Sequence, residues 1–321
     1  MNNSRKEEIG GYFELEQISG ESYYEELLPM NLGRCAFRLL LEARECKLLY
    51  LPYLLCDSMI NSCKEYGCEM RFYSLREDLS PMLPDCLLAG EYILLVNYYG
   101  QLTKKAIADY QASYGRIIVD HTQSFFSRPQ KGVDTLYSCR KFFGVPDGAY
   151  LSTDADLPYE LETDRSLGRM SHILGRYEEN ASAYFEEMHN NARSYYQEKP
   201  KGMSRLTKNL LRGIDYERVL QTRNENYQYL EAALGQRNPL NWYIPDGPLA
   251  YPFYTEDGIR IRKQLAQSKI YIPTYWGNVI QDMPKNSVEY QIAANVLALP
   301  CDQRYGQAEM EYIVRMLKDC L

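Results

Sequence analysis

The sequence predicts an α/β protein whose mostly parallel sheet is sandwiched by helices, with a smaller α/β domain at the C-terminal end. Three observations carry this. Short apolar runs alternate with stretches of helical spacing, the runs are bounded by Gly, Pro, Asn or Asp, and the run Tyr92-Ile93-Leu94-Leu95-Val96 is apolar at successive positions, as a strand buried on both faces requires.

Element by element, Phe37 to Ala43 has helical spacing, Leu48 to Leu51 is an apolar run ended by Pro52, and Asp57 to Tyr66 is helical again. The rhythm continues through the runs Met70 to Tyr73 and Tyr92 to Val96, the helical Thr103 to Tyr114, and the runs Arg116 to Val119 and Asp134 to Tyr137. Past Leu151 the composition shifts: 164–196 and 205–234 are rich in Glu, Arg, Asn and Tyr at helical spacing and read as a long helical connector. In the tail, Leu249 to Tyr254, Ile270-Tyr271-Ile272-Pro273 and Leu297 to Pro300 read as strands, and Gly306 to Cys320 as a closing helix. The expected division is a large domain over 1–160, a connector completing it and its interface over 161–235, and a small domain over 236–321.

A chain of 321 residues, 45% hydrophobic and 25% charged, is long enough for about two domains at roughly 100–200 residues each, which excludes disorder as its bulk state. Its 36 Lys and Arg against 43 Asp and Glu give a net charge of −7 without a basic block, so nucleic acid is not an expected partner. Residues 1–16 lack a signal-like apolar core of about 7–15 residues, and no stretch approaches about 18 apolar residues. Cytoplasmic residence without membrane contact is therefore expected. The nine cysteines are scattered without a CxxC pair, which predicts reduced thiols rather than a disulfide framework or a zinc site. The thirty tyrosines read as amphipathic filler of core edges and interfaces.

Parallel sheets hold ligands beyond the carboxyl ends of their strands. The residues there are Pro52-Tyr53, Asn97-Tyr98-Tyr99-Gly100, Asp120-His121-Thr122-Gln123 and Ser138-Cys139-Arg140-Lys141. A Gly-containing turn opening a helix (Asn31-Leu32-Gly33-Arg34-Cys35-Ala36) suits a phosphate, because helix-terminal N–H groups and the dipole favour an anion and Gly lets the chain approach closely. A strand-end Asp120 suits a pyridinium nitrogen, and a loop lysine suits an aldehyde. Singly, each has an ordinary reading as a turn, a cap or a solvated lysine. Their order along one α/β chain points to pyridoxal 5′-phosphate.

Over most of its length the chain resembles the fold-type-I pyridoxal-phosphate enzymes, and among them the DegT-type sugar aminotransferases. The resemblance is carried by Gly10 to Glu16, Asn31 to Ala36, Asp120-His121-Thr122-Gln123, Tyr137 to Ala149 and Leu299 to Gly306. It implies that Lys141 is the Schiff-base lysine and catalytic base, that Asp120 pairs with the pyridine nitrogen, and that Gln123 approaches the cofactor hydroxyl. It further implies a phosphate cradle from the backbone of Gly33, Arg34 and Cys35 with the Ser138 hydroxyl, and a cofactor contact from Asn97. The implied activity is transfer of an amino group, from glutamate, to a nucleotide-linked keto-sugar.

The chain departs from the family pattern in three places. Arg34 stands where the phosphate turn has a hydroxyl, Cys56 stands where a ring should stack on the cofactor, with Tyr53 the substitute, and Ser138 lies three residues before the lysine instead of five. Another pyridoxal-phosphate reaction, or a degenerate binding or regulatory protein on the same fold, remain the alternatives. Arg140 reads as a solvent or subunit contact or a ligand for a substrate anion, and His121 as a packed imidazole or a proton shuttle. The family also builds its site at a homodimer interface; the segment Met203 to Asn209, with Arg205, Lys208 and Asn209, is the candidate to reach a partner's phosphate, while Ser204 reads as a helix cap.

Overall fold

The computed structural model describes residues 9–321; residues 1–8, on which part of the reading of the N-terminus rests, lie outside the described residues. Strands β1 (Leu28–Met30), β2 (Leu48–Pro52), β3 (Glu69–Tyr73), β4 (Glu91–Val96), β5 (Ile117–Asp120), β6 (Asp134–Ser138) and β7 (Ala149–Ser152) form one sheet in the order β1-β7-β6-β5-β4-β2-β3. Strands β2 to β6 pair in parallel, and β7 runs antiparallel to both β6 and β1. Pro29 is tolerated because β1 is an edge strand.

Helices α1 (Gly33–Ala43) and α2 (Asp57–Tyr66) lie on one side and α3 (Lys104–Tyr114) on the other. Successive strand residues feed opposite cores. Leu94, Ile118 and Leu136 pack with Phe37, Leu40, Met59 and Cys63, whereas Ile93, Leu95, Ile117 and Val119 pack with Ile107. This two-sided burial explains the unbroken apolar runs, since each such side chain contributes about 1.5–3 kcal/mol when taken out of water. Helix ends follow local chemistry: Thr103 Oγ1 accepts from Ala106 N at 3.2 Å to cap α3, and Gly67 and Gly115 end α2 and α3 in the left-handed region.

Beyond β7 come α4 (Ser171–Glu178), α5 (Phe185–Ser194), α6 (Arg205–Leu211) and α7 (Tyr216–Leu234). The expected long connector is thus four helices, interrupted among other places at 198–204, where Pro200 offers no N–H. The C-terminal part holds α8 (Gly258–Gln267), α9 (Gly277–Asp282), α10 (Val288–Asn295), α11 (Gln307–Cys320) and the antiparallel pair β8 (Tyr251–Tyr254) and β9 (Val296–Leu299). The strand expected over 270–273 does not form: Ile270 and Ile272 are buried and Tyr271 is exposed, so the side chains alternate, but no neighbouring strand pairs with the segment and Pro273 cannot donate. Strands β1 and β7, of three and four residues, are not among the elements expected from the sequence.

The loop carrying Lys141 follows β6 as a single 3-10 turn, Cys139–Lys141, and distant parts of the chain hold it in place. The Phe142 carbonyl accepts from Gln303 at 2.7 Å and from the buried Arg223 of α7 at 3.3 Å. The Pro146 carbonyl accepts from Tyr195 Oη. The buried Asp147 carboxylate accepts from Ser204 N at 2.9 Å, from Ser204 Oγ at 2.6 Å and from Thr207 Oγ1, joining the loop to the first turn of α6. Replacing Asp147 by Ala removes all three bonds and should cost about 3 kcal/mol in urea unfolding, whereas Thr207→Val, which removes one, should cost about 1 kcal/mol. Equal losses for the two variants would contradict this arrangement.

Candidate active site

Helix α1 starts without a side-chain cap. Leu32 precedes it in extended conformation, and the first amide to bond back is that of Ala36, to Leu32 O at 2.9 Å. Among the described residues the N–H groups of Gly33, Arg34 and Cys35 have no partner, so the positive end of the helix dipole is open to an anion. A Cβ placed on Gly33 would lie 3.8 Å from Thr122 Cγ2 and 4.0 Å from the Tyr137 carbonyl. The helix start therefore abuts both the loop after β5 and the end of β6.

Strand register brings the other groups to the same place. Val96 pairs with Asp120, and Asp120 with Leu136, so Asn97, Asp120 and Ser138 sit at adjacent strand ends. Asp120 is buried, and its Oδ1 accepts from Thr122 N at 2.7 Å in a tight Asx-type turn. The exposed Lys141 donates from Nζ to Thr122 Oγ1 at 3.0 Å. Thr122 thus links the strand-end carboxylate to the amine. Sequence reasoning gave Thr122 no role; its one signal was a hydroxyl two residues beyond a strand-end Asp.

Behind this group lies a buried polar set. Asn97 Oδ1 accepts from Leu102 N at 2.7 Å, which turns its amide nitrogen toward His121 Nδ1 at 3.1 Å. Nδ1 must then be the acceptor, leaving the imidazole proton on Nε2. Burial pushes His121 down to about 3, so the ring is neutral; it packs on Tyr137 with centroids 5.5 Å apart, which agrees with the packed-imidazole reading. Gln123 is also buried, and its Oε1 accepts from Tyr99 N at 3.0 Å. That bond holds Tyr99 at φ +50°, where a non-glycine residue is strained, and the next residue must be Gly100, since a Cβ there would meet Pro245 at 2.6 Å.

The remaining expected residues are placed as follows. Ser138 is half-buried at the end of β6, without a capping bond. Cys35 is buried, donates to the Glu198 carbonyl at 3.5 Å and is pushed up to about 12 by desolvation, so only its amide is available to an anion. Tyr53 is 41% exposed and stacks on Phe72 of β3, centroids 5.3 Å apart; no contact joins it to Asp120 or Lys141. Ser204 caps α6, and Asn209 is bonded to Ile18 N and the Glu16 carbonyl, both at 2.9 Å, while Arg205 and Lys208 are exposed.

Unpartnered helix amides, a buried carboxylate and a lysine amine match the three demands of pyridoxal 5′-phosphate, so the residues present fit that group. Because the unfolded chain protonates His121 below its ordinary 6.5 and the folded chain does not, this residue's contribution to stability is full above that pH and is lost as pH falls. Urea unfolding at pH 5 against pH 7 should show the wild type losing about 2 kcal/mol more than His121→Gln. Identical losses would contradict the buried neutral ring.

Neither a family model nor a curated protein sequence matches the chain; solved structures do. A DegT DnrJ EryC1 StrS aminotransferase from Brucella abortus superposes with a TM-score of 0.64 at 14% identity, covering 92% of this chain and 86% of that one. The pyridoxal-phosphate form of Spr1654 from Streptococcus pneumoniae gives a TM-score of 0.62 at 13% identity, with coverage of 91% and 86%. PseC of Helicobacter pylori, an aminotransferase involved in the biosynthesis of pseudoaminic acid, gives 0.61 at 13% identity, again covering 91% and 86%. The chain shares the α/β fold of these aminotransferase structures over about nine-tenths of its length.

Proposed function

We propose that the chain is a pyridoxal 5′-phosphate-dependent aminotransferase that takes an amino group from glutamate and places it on a nucleotide-linked keto-sugar. The observation that carries this reading is the convergence of Asp120 and Lys141 on Thr122 beside the uncapped start of α1. The likeness to aminotransferase structures adds support for the class, and the sugar acceptor rests on what those proteins are named for. The cofactor, when bound, supplies the electron sink that lets an amino group pass between an amino acid and a keto compound.

The chain's own groups divide the work. The amides of Gly33, Arg34 and Cys35, with the Ser138 hydroxyl, hold the phosphate by charge-assisted hydrogen bonds. Asp120 would pair with the ring nitrogen and keep it protonated. Asn97 and Gln123 stiffen the floor, and Lys141 Nζ, held by Thr122 until substrate enters, would take the proton from the donor's amine-bearing carbon and, in the second half of the exchange, deliver one to the acceptor carbon that receives the amine. We place the enzyme in the cytoplasm, which its nine free cysteines support; among the described residues no helix is long and apolar enough to cross a membrane.

With glutamate and a panel of nucleotide-linked keto-sugars, the wild type should release 2-oxoglutarate, and Asp120→Asn should turn over at least about tenfold more slowly, equivalent to about 1.4 kcal/mol, while unfolding at nearly the same urea concentration. Unchanged turnover would make Asp120 a mere strand-end cap; a colourless protein that takes up no cofactor would favour the degenerate reading.

The active unit is proposed to be a homodimer, supported by the exposed apolar side chains of Ile9, Tyr12 and Phe13, each above 95% accessible, which a second copy would cover. Sedimentation should give twice the chain mass; a fully active monomer would defeat this.

A further inference from the structure

The position where the family resemblance calls for a phosphate-binding hydroxyl holds Arg34, and the residue before Lys141 is Arg140. The Arg34 guanidinium lies 4.2 Å over the Tyr196 ring and that of Arg140 lies 4.1 Å over the Tyr195 ring. Both therefore rest on one turn, Tyr195–Gln197, and Tyr195 is buried against Leu32 and Cys35 at the start of α1. The turn that holds both cations is thus anchored at the start of α1.

Among the described residues neither has an acidic partner. Arg44 pairs with Asp134 at 2.8 Å and Arg169 with Asp164 at 2.9 Å and with Glu198, while Arg116, Arg223 and Arg262, without a carboxylate among those residues, donate to main-chain carbonyls. Among the described residues no carboxylate bonds to Arg34 or Arg140. The charged groups that Arg140 feels are Arg34, Arg169 and Asp147, and Asp147 is committed to Ser204 and Thr207. Burial and the two neighbouring arginines pull Arg140 below its ordinary value, as expected for a cation lacking its counter-charge.

We propose that Arg34 and Arg140 form a two-guanidinium site for a dianionic phosphate at the start of α1, which, on the function proposed above, is the cofactor's phosphate, with cations standing in for the hydroxyl that position 34 lacks. Two arginine forks and three helix amides together answer a doubly charged, tetrahedral oxyanion better than a single carboxylate or a neutral group. The tyrosine faces hold the forks in place and lessen their mutual repulsion through the ring quadrupoles.

The test uses the full chain as wild type, Arg34→Gln, Arg140→Gln and Arg140→Lys, with thermal unfolding to establish that each is folded. Binding of inorganic phosphate is measured by calorimetry, and uptake of pyridoxal 5′-phosphate and of phosphate-free pyridoxal by absorbance. Each Gln variant should bind inorganic phosphate and pyridoxal 5′-phosphate about tenfold or more weakly, pyridoxal should be taken up within about twofold of wild type, and Arg140→Lys should recover part of the loss. Wild-type affinity for phosphate and pyridoxal 5′-phosphate in both Gln variants would overturn the proposal, as would equal weakening of pyridoxal, which marks a merely structural role. Should the wild type bind phosphate through these arginines yet take up neither pyridoxal compound, the anion site stands and the cofactor reading fails.

Discussion

The constraint on which the site depends is the tethering of the loop that carries Lys141. A lysine has a long, flexible stem, and one on a free loop would spend little time in any single position. Here the carbonyl after the lysine is held by Arg223 and Gln303, the carbonyl five residues on by Tyr195, and the carboxylate six residues on by the first turn of α6. Each partner comes from a different part of the chain, so the connector helices and the C-terminal layer both serve to fix one turn of backbone. Among the described residues the buried Arg223 takes no carboxylate partner; its two terminal nitrogens donate to main-chain carbonyls and its buried Nε has no partner, a costly arrangement that helps fix where the amine starts.

A second layer of order comes from the polar set behind Asp120. The Asn97 amide is oriented by the Leu102 N–H, the His121 tautomer follows from that orientation, and Gln123 holds Tyr99 in a strained conformation. No member is charged, so the carboxylate of Asp120 faces a rigid and neutral background. The same background bears on the imidazole beside Asp120: burial holds His121 neutral, as a packed ring would be.

Much of this was legible in the sequence because parallel strands announce themselves. The runs at Leu48, Tyr92 and Arg116 are apolar on both faces, and the polar residues that end them, Asn97 and Asp120, are where the chain leaves the core for the crevice. The thirty tyrosines were also readable as filler: Tyr24, Tyr73, Tyr98 and Tyr137 bury their rings and send their hydroxyls to main-chain carbonyls. What could not be read depends on tertiary placement. Thr122 gains its role only when β5 and β6 are set side by side, and the tether to Asp147 requires α6 to return to the sheet. The segment at Ile270 alternates as a strand does, yet strand formation needs a neighbour, and sequence periodicity does not report one. Tyr53 stacks one face on Phe72, which β2–β3 pairing brings alongside, a contact that sequence spacing does not report.

The account stands on Lys141 being the amine that meets the cofactor. Borohydride reduction of the protein loaded with pyridoxal 5′-phosphate, followed by proteolysis and peptide mapping, tests this most directly. The label is expected on the peptide containing Lys141 and on no other, and to vanish in Lys141→Ala; a label on a different lysine, or one that persists in that variant, would contradict the account.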